Sequence, residues 1–386
     1  MKGGRGDTWT TLRKRVLRIA RELLSLPTAP FREHRVREYV KAFCAARGIA
    51  TWEDDMGNVV AVYGARRRGP VLAFDAHMDH PGFIIEKDSR RRRSTKVPKR
   101  KSLRFEAPAV FYGGVEKEYF RGTRVRVFTE GGEVTGRVLA AHFRPRKRIK
   151  RILLALDGEV KQGDVATWDL PPFRVRGDRL HARSCDDLVG CVSLLALFDE
   201  LARRRVPRKV LGVFTVAEES GLNGAKYLAL ARRIPKTANL VAVETSRELP
   251  TAPVGGGAVI RVGDRESIFS PSITRFMEHV AGRLRRKSPS FRCQRKLMDG
   301  GLCEASVYQA FGYRCGAACV ALGNYHNRDF RAREIAPEYV SVSDLVNMVT
   351  LFVGMVEGSP ELPRFLARRP PKYSEERRGL GERLFR

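Results

Sequence analysis

Residues 209–224 read KVLGVFTVAEESGLNG, an apolar run that ends on two adjacent carboxylates, Glu218 and Glu219. Lys209 to Val216 has the length and β-branched content of a buried strand, and the glycines beyond the glutamates mark a turn into a helix. In an open α/β sheet, chemistry gathers at the carboxyl ends of the strands. Two glutamates placed there repel each other and lose hydration, which is costly unless a cation balances them. Alone, an EE pair also suits the acidic first turn of a solvated helix. Its meaning therefore depends on its neighbours.

Four other stretches complete the pattern. Val71 to Asp79, VLAFDAHMD, is an apolar run ending in His77 and Asp79. Asn239 to Glu244, NLVAVE, ends in Glu244, and Cys319 to His326, CVALGNYH, ends in His326. Ser184 to Gly190, SCDDLVG, puts Asp186 and Asp187 just before a helix. Singly each is weak, since a lone His after a strand is more often structural and DD is an ordinary helix cap. Together they supply two histidines and several carboxylates, the ligand chemistry of a Zn²⁺ or Co²⁺ pair.

The order HxD, DD, EE, acid, His, at these spacings, resembles the co-catalytic di-metal aminopeptidase clan, and within it the glutamyl and deblocking aminopeptidases of the tetrahedral-peptidase type. The likeness runs over roughly residues 12–356. It implies an α/β fold of zinc-peptidase type, with a mixed central sheet flanked by helices and an inserted small β-barrel domain. It also implies a metallo-aminopeptidase acting on peptides with two divalent metal ions, Zn²⁺ or Co²⁺. In the family pattern Asp186 is shared by both ions, one ion being completed by His77 and Glu244 and the other by Glu219 and His326. Glu218, unable to ligate usefully from the neighbouring position, is left as general base and acid. Asp79, two residues after His77, is placed to orient that imidazole if the strand continues. Asp187 is expected to fix backbone geometry. Four positions depart from the family pattern: Glu244 stands where Asp is usual, Leu188 where an Arg commonly follows DD, GGLCEA where a GGTDA-like string is usual, and His80 in place of an acid.

At 386 residues and 43% hydrophobic content, the chain can bury one large core or two moderate ones. The N-terminus has no apolar segment of signal type and no run reaches the ~18 apolar residues of a membrane span, so a cytoplasmic protein with no membrane partner is expected. Seven scattered cysteines suit reduced thiols better than a disulfide framework. The charge is strongly positive, with 73 Lys and Arg against 43 Asp and Glu. Its densest runs are 90–104, 144–151, 203–209 and the region from Arg283 to Lys296. They lack interleaved aromatics and match no nucleic-acid module, so weak polyanion binding is the most they suggest.

Along the chain, helices are expected over 8–26 and 33–47, followed by short strands and the strand leading to His77. From about 89 to 178 the texture changes to short β-type runs punctuated by Gly, which reads as a small barrel or sandwich. The resemblance gives such an insert a role in assembly and at the substrate entrance, and implies a homo-oligomer, a dimer or dodecamer. The expected division is a catalytic part at 1–88, the insert at 89–178, a second catalytic part at 179–358, and a basic, mobile tail at 359–386. Three functions compete: an aminopeptidase working through a two-metal-activated water, an amidohydrolase or carboxypeptidase of the same clan acting on acylated amino acids, and a polyanion binder on a non-catalytic peptidase fold.

Overall fold

The computed structural model describes residues 5–91, 103–144 and 149–367. The chain begins with α1 (Arg5–Leu23) and α2 (His34–Ala45), then β1 (Ala50–Glu53), β2 (Val59–Tyr63) and β3 (Leu72–His77). It then leaves for a second sheet made of β4 (Gly82–Ile85), β5 (Arg90–Arg91), β6 (Phe105–Tyr112), β7 (Arg124–Thr129), β8 (Gly132–Arg144), β9 (Ile149–Leu156) and β10 (Val165–Trp168). The hairpin β11 (Arg174–Arg176) and β12 (Arg179–Ala182) leads back to α3 (Leu188–Arg204), β13 (Val210–Thr215), α4 (Asn223–Leu230), β14 (Asn239–Arg247) and β15 (Ala258–Gly263). After these come α5 (Pro271–Lys287), β16 (Cys293–Leu297), α6 (Glu304–Ala310) and β17 (Arg314–Leu322). The short strands β18 (Arg328–Asp329), β19 (Glu334–Ile335) and β20 (Glu338–Ser341) precede α7 (Val342–Glu357) and α8 (Leu362–Leu366).

The central sheet has eight strands in the order β1-β2-β13-β3-β14-β17-β15-β16. Its middle four, β13, β3, β14 and β17, run parallel, while β2 and β15 flank them antiparallel. The sheet is therefore mixed, as the resemblance implies. Every residue of β3 and β13 is buried, which is why both read as unbroken apolar runs rather than alternating ones. Successive residues still face opposite layers. Leu72, Phe74 and Ala76 pack with α1, α2, α3, α5 and α7, whereas Ala73 joins the layer formed by α4 and α6. Gly212 lets α3 lie close to the sheet, because a Cβ there would sit 2.5 Å from the Phe198 ring.

The second sheet closes on itself as a six-stranded barrel, β4-β10-β7-β8-β9-β6, with β6 pairing back onto β4. Its core is a ring cluster: Phe83 meets Trp168 and Phe111 at 4.8 Å each, and Phe120 meets Phe111 at 4.9 Å, all edge-on. Such pairs add about 0.5–1.5 kcal/mol each beyond burial. The barrel's first strand, β4, lies before residue 89.

The tail also differs from expectation. Leu362 is fully buried, Phe365 packs edge-on against Phe276 at 5.6 Å, and Glu361 pairs with His279 at 3.1 Å and with Arg283. Its few apolar residues are scattered among prolines and arginines, which hid α8 in the sequence. Residues 368–386 lie outside the described part. Leu362→Ala is expected to cost about 2–5 kcal/mol in denaturant unfolding; a change under about 0.5 kcal/mol, the usual size for a surface site, would restore the mobile-tail reading.

All seven cysteines are free thiols. No single helix among the described residues is long and apolar enough to cross a membrane. Most of the basic run at 90–104 falls outside the described residues, as do 145–148 of the run at 144–151.

Candidate metal centre

The four parallel strands bring their carboxyl ends to one place. His77 is the last residue of β3, Glu218 and Glu219 follow β13, Glu244 lies in β14, and His326 follows β17. Asp186 reaches the same place from the loop between β12 and α3, where the Asp186–Asp187 peptide is cis. Ligand-type atoms of His77, Asp186 and Glu244 lie within 4.8 Å of one another, and so do those of Asp186, Glu219 and His326. Asp186 stands between the groups, with Oδ1 3.6 Å from His77 Nε2 and Oδ2 3.6 Å from His326 Nε2. Glu219 Oε1 is 2.9 Å from His326 Nε2, and Glu218 Oε2 is 3.9 Å from His77 Nε2.

Both imidazoles are fixed through their other nitrogen. His77 Nδ1 lies 3.2 Å from the Asp79 carbonyl and His326 Nδ1 lies 3.2 Å from the Gly114 carbonyl. A carbonyl only accepts, so each Nδ1 donates, and in the neutral ring that leaves the Nε2 lone pair for a cation at the site.

The turn carrying the glutamates is held by its backbone. Four successive amides donate to buried side chains: Val216 to Asn58 Oδ1, Ala217 to Glu33 Oε1, Glu218 to Asp79 Oδ1 and Glu219 to Asp79 Oδ2, each at 3.0 Å. This holds Ala217 at φ 53°, a left-handed conformation that a residue with a Cβ adopts only under constraint. Asp79 thus does more than the sequence suggested. Its carbonyl and a carboxylate oxygen 3.5 Å away orient His77, while the same carboxylate shapes the glutamate turn.

A second buried carboxylate organises the opposite side. Glu338 Oε2 accepts the amides of Cys185 (2.7 Å) and Asp186 (3.1 Å), and Oε1 accepts that of His326 (2.8 Å). His80 is buried between the Asp186 carbonyl and Asn327 Oδ1. Asp187 caps α3 through Gly190 N (3.1 Å) and accepts from Thr245 Oγ1 (2.7 Å), so its carboxylate serves the backbone. Glu33, Asn58, Glu338 and Gly114 were not singled out in the sequence. They act through main-chain groups distant in sequence, which leaves no spacing to read.

The site is overloaded with negative charge. Burial, reinforced by Glu219, Glu244 and Asp79, pushes Glu218 well above the usual carboxylate range. Burial likewise raises Glu244 to about 8, although Arg261 opposes the shift. Burial works against a charged His326, yet Glu219 and Asp186 hold it up at about 10. Below His77, Asp75 and Glu304 form another buried carboxyl pair, bonded to Tyr308 and Thr215; burial pushes Asp75 up to about 7. Asp186 Oδ1 is buried and makes no hydrogen bond, and His326 Nε2 is faced by the carboxylates of Glu219 and Asp186. Cations at the two groups would satisfy both atoms and offset the carboxylates, and imidazole with carboxylate is a donor set suited to Zn²⁺ or Co²⁺.

A cleft opens over these residues, with Arg247, Arg261, Met298 and Tyr325 on its other walls. Arg261 is 2% exposed and donates to Ser246 Oγ at 3.2 Å and to the Met298 carbonyl at 3.5 Å. Among the described residues no carboxylate lies within 4.0 Å of it.

A family model described as M42 glutamyl aminopeptidase matches residues 57–334. Over 317 residues the chain is 26% identical to a protein of Acetivibrio thermocellus that carries an aminopeptidase name, covering 78% of this chain and 86% of the relative. Among solved structures, the aminopeptidase APDkam598 of the archaeon Desulfurococcus kamchatkensis superposes with a TM-score of 0.73 at 21% identity, over 93% of this chain and 99% of that one. The Pyrococcus horikoshii TET1 peptidase, described as able to assemble into a tetrahedron or a large octahedral shell, gives 0.68 at 23% identity, over 88% and 99%.

Proposed function

The chain belongs to the M42 glutamyl aminopeptidase family and is a peptide-bond hydrolase, and from that premise we propose that it removes acidic N-terminal residues from peptides at a two-metal centre. The carrying observation is Asp186, which sits 3.6 Å from an imidazole of each ligand group. His77, Asp186 and Glu244 would hold one ion, and Asp186, Glu219 and His326 the other. Bound there, two divalent cations supply a water of lowered pKa and positive charge for the oxygen that becomes anionic. Glu218, beside both groups yet in neither, takes the proton of the attacking water and passes it to the departing amine. Asp79 fixes His77 and both glutamate amides, so it positions rather than reacts.

Arg261, buried in the cleft wall and in direct contact with no carboxylate among the described residues although Glu244 and Asp264 lie near enough to act on it, supports a preference for an acidic first residue, with Arg247 adding charge nearby. The tetrahedral and octahedral shells described for the Pyrococcus horikoshii peptidase support assembly of this chain as a homo-oligomer as well.

The test is a chromogenic amide panel of Glu, Asp, Leu and Lys derivatives, each as the free amine and N-acylated, with Zn²⁺ or Co²⁺ added. Fastest cleavage of the free-amine Glu and Asp amides is expected. Cleavage of only the acylated series would move the chain to the amidohydrolase reading, and Leu or Lys fastest would remove Arg261 from specificity.

A further inference from the structure

The barrel reaches into the metal centre at one point, the loop 113–116 that leaves β6. The Gly114 carbonyl accepts the His326 Nδ1 proton at 3.2 Å. The loop also packs against the imidazole edge, because a Cβ on Gly114 would lie 3.1 Å from Nδ1 and 3.3 Å from Cε1. Two cations fasten it. Lys150 of β9 donates to the carbonyls on either side of Gly114, to Gly113 and, at 3.0 Å, to Val115. Arg328, two residues beyond His326, grips Glu116 with its guanidinium and donates to the Tyr325 carbonyl at 3.2 Å. Tyr325 in turn stacks on the His326 ring at 3.8 Å and 25°.

The ammonium of Lys150 lies 5.5 Å and 5.3 Å from the Phe111 and Phe143 rings, and burial lowers its pKa. Placing a lysine among rings and carbonyls costs desolvation. Its contacts at the loop are what offset that cost: by drawing in the Gly113 and Val115 carbonyls from one side, it leaves the intervening Gly114 carbonyl directed at His326.

We propose that Lys150 and the loop 113–116 are positioning elements of the metal centre, holding His326 in the tautomer and orientation that a cation shared with Asp186 and Glu219 requires. The barrel thereby completes one half of the centre, whereas His77 takes its Nδ1 partner from the Asp79 carbonyl. This inference rests on the two-metal reading. Loss of a partner to a ligating histidine typically weakens metal binding about 10- to 100-fold.

The experiment titrates Co²⁺ into metal-free protein and follows both absorbance and heat. Wild type is expected to take up two equivalents. Lys150→Met should weaken one equivalent about 10- to 100-fold, leave the other within a factor of about two, and keep the unfolding midpoint and far-ultraviolet dichroism of wild type. Gly114→Ala, which presses on the imidazole without touching the barrel core, should weaken the same equivalent, and it carries the test if Lys150→Met does not fold. Two unchanged equivalents in a folded Lys150→Met or Gly114→Ala protein would overturn the inference. Fewer than two equivalents in wild type would instead overturn the two-metal reading beneath it.

Discussion

Glu218→Gln is expected to retain both metal ions and to lose turnover by roughly 10²- to 10⁴-fold, the usual contribution of a general base and acid. The side chain lies 3.9 Å from His77 and outside both ligand groups, so an amide there removes a proton acceptor and leaves the ligands in place. The change is nearly isosteric, and the turn is held by its amides rather than by this carboxylate. The fold should therefore be undisturbed. Elemental analysis beside single-turnover kinetics separates the possibilities. Normal turnover would end the general-base assignment, and lost metal would make Glu218 a ligand.

Asp186→Asn is expected to have the widest effect, because one substitution removes a carboxylate from both groups. Wild type should be stabilised by Zn²⁺ by about 2.7 kcal/mol for each ion bound at one hundred times its Kd. The variant should lose most of that gain, hold little metal after dialysis and show no measurable turnover. Thermal unfolding with and without Zn²⁺ measures it. Two ions retained at full occupancy would show that Asp186 is not shared. His77 and His326 would then stand as separate centres.

Much of this arrangement was legible before any coordinates. Parallel strands buried on both faces are unbroken apolar runs, and a polar residue at the end of such a run marks the edge of the sheet, where ligands can converge. His77, Glu219, Glu244 and His326 were read this way, and the DD pair by its place before α3. What could not be read was the scaffolding. Asn58, Glu33 and Glu338 bind main-chain amides up to 184 residues away, and an amide bears no sequence signature. Lys150 was hidden for a related reason: it lies in a basic run, and only the barrel's closure brings it to the Gly113 and Val115 carbonyls. The helix α8 was missed because the buried Leu362 and the half-buried Phe365 are too few to show a periodicity.

The four captured amides from Val216 to Glu219 divide responsibilities within the turn. Shape comes from Asn58, Glu33 and Asp79, while Glu218 and Glu219 contribute only what projects from it. The turn is then a socket whose contents can be exchanged. Positions 218 and 219 become places where evolution or an engineer can rewrite chemistry without reopening the folding problem. The three acceptors beneath have no such latitude, since a change in any of them alters every reaction the socket could host.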